Sequence, residues 1–280
     1  MAREIFFDNS ALSRLVEEAD ADRAAIIGRL RAIGTPRISE LNVIETARTS
    51  DAAVRTRKLE LYKDLTGSVA PMNEPVELLE KLAKAHFDRA GNIEAGNQYA
   101  YHLLANPNDA SEQLREALTA WTVDQETRFK FLHETMRERF AGPFEGEAAE
   151  LLATEAKFLE FVFETADATL GGLVTGFYRD ATDHELPRAE VSSFLDQVPA
   201  WKIFIAAHLH SLWVRSIKPK GPGRRSAGIV DTDSAVYLNF CDRFITNDHA
   251  QRETLNVANQ FNPRGTSVEL YSDIRSQLLR

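Results

Sequence analysis

Two short apolar runs at opposite ends of the chain stop at a carboxylate in the same manner. Glu4, Ile5, Phe6 and Phe7 lead into Asp8, Asn9 and Ser10, and Phe244 with Ile245 leads into Thr246, Asn247 and Asp248. Short apolar runs bounded by Asn, Asp and Ser read as strands. In an open parallel sheet the carboxyl ends of the strands border the crevice where ligands bind, so an acid at a strand tip faces a concave site rather than a core. Two such tips separated by most of the chain point to a site assembled in space from distant segments.

The intervening pattern supplies the crossovers that a parallel sheet needs. A short helix follows Asn9 and Ser10, and a second shows helical spacing at Ala24, Ile27 and Leu30 until Gly34 stops it. Thr35 and Pro36 turn into Arg37, Ile38 and Ser39, after which Glu40 to Ala47 start a helix with Leu41 and Ile44 inward and Glu45 one position off that line. Strand, two helices and strand form a crossover long enough to join parallel neighbours. Asp51 to Leu65 read as helix, and Gly67 to Pro71 as a brief third strand.

From Pro75 to Ile217 nearly every segment is helical in pattern: 76–86, 110–140, 145–173 and 187–214. Strand signals return only after Gly228, at Phe244 and Ile245, at Thr266 to Leu270, and more weakly at Gly228 to Val230. A helix opens at the acid pair Asp231 and Asp233 and ends in a turn at Cys241, Asp242 and Arg243. The expectation is one α/β core made of residues 1–75 and 228–280, with residues 76–227 a predominantly helical insertion ending in a basic loop.

Charge and composition narrow the function classes. A formal net charge of −9 argues against a protein that grips duplex DNA over its whole surface. One local basic strip stands out, with Arg215, Lys218, Lys220, Arg224 and Arg225 and no acid among them. Its Pro and Gly make it a linker, either a solvated loop or a strip that holds a phosphate backbone. The single Cys241 provides no Cys-rich metal site. No run approaches the length of a membrane span and no signal core opens the chain, so a cytoplasmic protein without a membrane partner is expected.

The strand ending in Asp8, the run Ser39 to Glu45 at a helix start, the acid opening a helix at Asp231, the strand-end Thr246 to Asp248 and the closing Val268 to Ile274 together resemble a PIN-domain nuclease. The resemblance covers residues 1–75 and 228–280. It implies a three-layer α/β/α fold with a mostly parallel central sheet, and a carboxylate cluster that binds Mg²⁺ or Mn²⁺ to cleave RNA or, in relatives, structured DNA. It carries Asp8, Glu45, Asp231 and Asp248 over as catalytic and metal-binding acids. Asp231 fits the spacing better than Asp233, which remains the alternative third acid.

Independent chemistry points the same way. Phosphodiester cleavage needs a hydroxide near neutral pH and charge neutralisation on the phosphoryl group, and divalent ions on carboxylates supply both. Thr246 and Asn9 would support the acids, although a buried threonine hydroxyl can equally be satisfied by backbone. Lys218, Lys220, Arg224 and Arg225 would hold the nucleic acid. Asp242 falls at the opposite end of its strand and reads as a turn residue. His208 and His210 lie two apart on a helix, cannot share a face, and read as packing or surface residues. A rival expectation is a PIN-like binding or scaffold protein whose acids serve only as helix caps, with the helical insertion recruiting a partner protein or a second copy of the chain.

Overall fold

The computed structural model describes residues 3–106 except 92, 94 and 95, then 109, 115–120, 123, 124, 127, 130, 134 and 138, then 154–217 and 227–280. Its centre is a four-stranded, all-parallel sheet with the order β2-β1-β3-β4, formed by β1 (Glu4–Phe7), β2 (Thr35–Arg37), β3 (Arg243–Thr246) and β4 (Ser267–Leu270). The two central strands come from opposite ends of the chain and pair with Phe6 beside Phe244.

The sequence explains which strands take which places. Ile5, Phe6, Phe7, Phe244 and Ile245 are fully buried, as expected of parallel strands covered on both faces. β2 carries Pro36, which has no N–H for a ladder, and it lies at the sheet edge. β4 at the other edge alternates exposed and buried residues and is tied to its neighbour by Arg243, whose guanidinium donates two hydrogen bonds to Glu269 at 2.8 and 2.6 Å.

Helices cover both faces. After β1 come α1 (Asn9–Glu17) and α2 (Asp20–Ile33), and after β2 come α3 (Glu40–Ala47), α4 (Ala52–Thr66), α5 (Pro75–Phe87) and α6 (Gln98–Ala105). The chain continues through α7 (Glu155–Glu164), α8 (Ala166–Thr169), α9 (Gly171–Thr182), α10 (Val191–Gln197) and α11 (Pro199–Leu212). It ends with α12 (Ile229–Asp233), α13 (His249–Ala258) and α14 (Tyr271–Leu278). Ile5, Phe7 and Ile245 pack with α1, α2, α4, α6 and α14, through residues such as Leu12, Leu30, Tyr62 and Ile274. Phe6 and Phe244, alternating to the other face, pack with α5, α7, α11 and α13 through Leu78, Phe158, Ile203 and Leu255. This arrangement is compatible with a three-layer α/β/α sandwich.

Phe6 shows how firmly the second face is joined to the sheet. Its ring stacks on Tyr237 with centroids 4.5 Å apart and meets Phe244 at 4.9 Å. Truncating such a ring to Ala costs about 3 to 5 kcal/mol. The helices of the expected insertion therefore share one hydrophobic cluster with the sheet. The helix expected at 110–140 lies largely outside the described residues, of which 115–120 are helical, and the one expected at 145–173 is described from Thr154 onward.

Four local expectations change. Thr35 and Pro36, expected as a turn, are themselves in β2, which ends at Arg37 rather than Ser39. Gly67 to Pro71 forms no strand; Met72 alone bridges to Ser39, and Pro71 beside it has no N–H to extend the ladder. Gly228 to Val230 is not extended but opens α12, because the Asp231 carboxylate accepts the Gly228 N–H at 2.9 Å. The helix expected from Asp231 accordingly starts two residues earlier and tightens into a 3-10 turn over Ser234–Asn239. Gly34, the expected stop of α2, is required by close approach: a Cβ there would lie 2.3 Å from the Arg3 carbonyl oxygen.

Candidate active site

Asp8 and Asp248 are placed by the same local device. Each follows a buried strand, adopts an extended backbone and caps the next helix. Asp8 Oδ1 accepts the Ala11 N–H at 2.9 Å, while Asp248 Oδ1 accepts those of Ala250 and Gln251 at 2.7 and 2.9 Å. Because β1 and β3 are adjacent and parallel, the two caps come to the same end of the sheet.

Thr246 joins them. Its hydroxyl, fully buried, lies 3.1 Å from Asp8 Oδ2, 3.1 Å from Ser10 Oγ and 2.5 Å from Gln251 Oε1, and it accepts the Asp248 N–H at 3.0 Å. One hydroxyl proton can serve only one acceptor at a time. Ser10 meets part of the remaining demand, with its Oγ 3.0 and 2.9 Å from the two Asp8 oxygens. Ser10 Oγ also accepts the Asn247 N–H at 2.7 Å, which ties the loop after β3 to the first turn of α1.

Glu45 and Asp231 reach the same region from outside the sheet. On α3, Asn42 closes a capping box with Ser39 and donates to Asn9 Oδ1 at 2.9 Å. Asn9 thus fixes α3, and with it Glu45 one turn further on, rather than bonding an acid directly. The Glu45 carboxylate itself has no hydrogen-bond partner among the described residues. Asp231 sits on α12, held by Gly228 N–H.

Electrostatics show that the acids feel one another. Burial, with repulsion from Asp231 added, pushes the Asp8 carboxyl up to about 7 against the hydrogen bonds from Ala11 and Ser10. Burial followed by repulsion from Asp231 and Asp8 lifts Glu45 to about 7, with Arg48 and Lys58 opposing. Asp231 is raised by burial and by Asp248 and Asp233, with the Gly228 N–H and Arg215 opposing. Without its protons or a cation this group repels itself.

The remaining expected residues divide. Asp233 Oδ1 lies 3.0 Å from His208 Nε2 on α11, so this acid is engaged by a buried histidine while Asp231 is the one coupled to Asp8 and Glu45. His210, two residues on and also buried, pairs with Glu155 instead. Asp242 stands at the amino end of β3, where it accepts the Glu4 N–H at 2.7 Å and pairs with Arg264. Burial alone would raise its carboxyl, yet those partners hold it below the usual range. Lys218, Lys220, Arg224 and Arg225 lie outside the described residues. The ends of their segment are described: the Arg215 guanidinium donates to the Ala227 carbonyl and lies close enough to act on Asp231.

Sequence reasoning missed Ser10, Gln251 and Ser234, whose Oγ accepts from Gln251 Nε2 at 3.0 Å, as parts of this network, and a second group of acids beside it. Burial, then repulsion from Glu77 and Glu74, raises Glu40 to about 7, and Asn97 donates to Glu40 and Glu77 at 2.7 and 3.5 Å. Glu74 is raised by burial and by Asp233 and Glu77, with the Glu77 and Val76 N–H groups opposing.

No protein-family profile, curated protein or solved structure matches this chain.

The fit to a divalent cation divides into chemistry and spacing. The donors are hard carboxylate oxygens, the type that suits Mg²⁺ and Mn²⁺. Among the described residues no three acid, histidine or cysteine side chains stand close enough together to hold an ion as a cage. Mg²⁺ keeps several waters and takes one or two direct carboxylates, so such a cage is not what that cation requires.

Proposed function

We propose that the chain is a divalent-metal-dependent nuclease, most simply a ribonuclease, that hydrolyses phosphodiester bonds at Asp8, Glu45, Asp231 and Asp248. The observation that carries this reading is that adjacent parallel strands deliver Asp8 and Asp248 to one end of the sheet, with Glu45 and Asp231 from two separate helices near enough for the acids to raise one another. Acids that serve only as caps have no reason to converge. A proton and a divalent cation satisfy the same excess charge, so Asp8 and Glu45, which hold their protons up to about 7, are primed to exchange them for a metal.

Mg²⁺ or Mn²⁺ bound there would activate a water and neutralise charge on the phosphoryl group. The chain's own contribution is to hold Asp8 and Asp248 in place through Thr246, Ser10 and the two helix caps, to hold Asp231 through the Gly228 N–H, and to set Arg215 near Asp231. In this reading residues 76–227 shape the approach of a single-stranded or structured RNA, and the PIN-type pattern of the strand tips favours RNA over DNA. The test is cleavage of RNA in chelator: activity should vanish and return with Mn²⁺, and full activity in excess chelator contradicts the proposal.

A second reading has its own observation behind it. Asp8 and Asp248 are both satisfied as helix caps, and no three-side-chain cage is formed among the described residues. A catalytically silent PIN-like binding protein would look the same at those two positions. It would take up no Mn²⁺, which separates the two readings.

A further inference from the structure

Asp8 and Asp248 are fixed by the strands that deliver them, whereas Asp231 lies on a five-residue helical turn outside the sheet. One buried side chain connects that turn to the strand tips. Gln251, 1% exposed, accepts from Thr246 Oγ1 through Oε1 at 2.5 Å. Its Nε2 donates to Ser234 Oγ at 3.0 Å and reaches the Asp231 carbonyl oxygen at 3.5 Å. Ser234 Oγ in turn donates to that carbonyl at 2.6 Å. The Gln251 backbone N–H completes the set by donating to Asp248 Oδ1 at 2.9 Å.

A single residue thus touches Asp248 through its main chain, the Asp8 partner Thr246 through its amide oxygen, and the Asp231 main chain through its amide nitrogen. An amide offers an acceptor at one end and a donor at the other without carrying charge. A glutamate would turn an acceptor toward the Asp231 carbonyl and add charge to acids that already repel. A methionine would fill the space with neither function.

We infer that Gln251 is a positioning residue of the site, setting where Asp231 stands relative to Asp8 and Asp248. The inference rests on the metal-dependent reading given above. It differs from ordinary core stabilisation in its consequence: removing the amide moves one ligand, so metal affinity changes and not stability alone.

The experiment is Mn²⁺ titration calorimetry on the full chain, for wild type, Gln251→Met, Ser234→Ala and the double variant, with melting midpoints taken in chelator. Partners of metal ligands typically govern affinity by about 10- to 100-fold, so Gln251→Met should bind Mn²⁺ at least about tenfold more weakly. Ser234→Ala should move the same way by less. Because both changes cut one link, the double variant should bind no more weakly than Gln251→Met alone. Unchanged Mn²⁺ affinity with a lowered melting midpoint makes Gln251 a structural residue only and overturns the inference. Should Gln251→Met fail to fold, Ser234→Ala decides alone, and wild-type affinity there overturns it equally. A wild type that takes up no Mn²⁺ overturns the nuclease reading itself, and this inference with it.

Discussion

Thr246 Oγ1 lies 3.1 Å from Asp8 Oδ2, which connects the tips of two strands that are 238 residues apart in sequence. Replacing it by Val keeps the shape and removes the hydroxyl. The Asp248 N–H and Gln251 Oε1 then lose a partner in a buried setting, which costs about 1 to 3 kcal/mol. Chemical denaturation of Thr246→Val should show that loss, with cleavage reduced about tenfold or more. Wild-type stability in this variant would mean that the hydroxyl is not the hub described.

Asp248 holds two helix N–H groups with one oxygen, so its two substitutions should differ. Asp248→Ala removes the cap and should cost about 0.5 to 2 kcal/mol in chelator. Asp248→Asn keeps an acceptor and removes charge beside Asp231, so its metal-free stability should equal or exceed wild type. Equal losses in both variants, measured by urea unfolding, would contradict the charge-repulsion account.

Stability of the metal-free protein should depend on pH with a definite sign. Asp8 and Glu45 are raised to about 7 in the fold, against about 4 in an unfolded chain. Between those limits the folded state binds more protons than the unfolded one, so stability from these groups falls as pH rises. Glu18, Asp242 and Glu269 are lowered and lose their contribution only on the acid side of the usual carboxylate range. Unfolding free energy in chelator should therefore decline from about pH 5 to pH 7, and Asp8→Asn should flatten the slope. A rise through that window contradicts the raised carboxyls.

The strand tips are legible in the sequence because their signature is local. An apolar run, an acid and a helix start within a few residues locate Asp8 and Asp248, and β4 at Ser267–Leu270 falls within one residue of the expected stretch. Gln251 and Ser10 give no such signal, since beyond their local partners each reaches one far along the chain, 17 and 236 residues away. Gly228 to Val230 misleads for a related reason: two apolar residues after a glycine look extended until the Asp231 side chain folds back on the Gly228 N–H. Spacing favours Asp231 over Asp233 but says nothing of the buried His208 that engages Asp233, since that histidine lies 25 residues away in sequence.

The basic segment makes a separate prediction. Arg215 lies beside Asp231, and Lys220, Arg224 and Arg225 follow within ten residues. Replacing those three by Gln should weaken RNA binding and reduce the salt slope by roughly one for each phosphate no longer neutralised. Unchanged affinity and slope would make the segment a solvated loop.

Whether these carboxylates bind a metal rather than merely cap helices is tested most directly by the shift of the melting midpoint with Mn²⁺. Wild type should be stabilised, by about 2.7 kcal/mol when free Mn²⁺ is about a hundredfold above its dissociation constant. Asp8→Asn, which preserves much of the cap, should lose that stabilisation, while Asp242→Asn at the far end of β3 should retain it. A wild type that Mn²⁺ does not stabilise, or an Asp242→Asn variant as impaired as Asp8→Asn, contradicts the account.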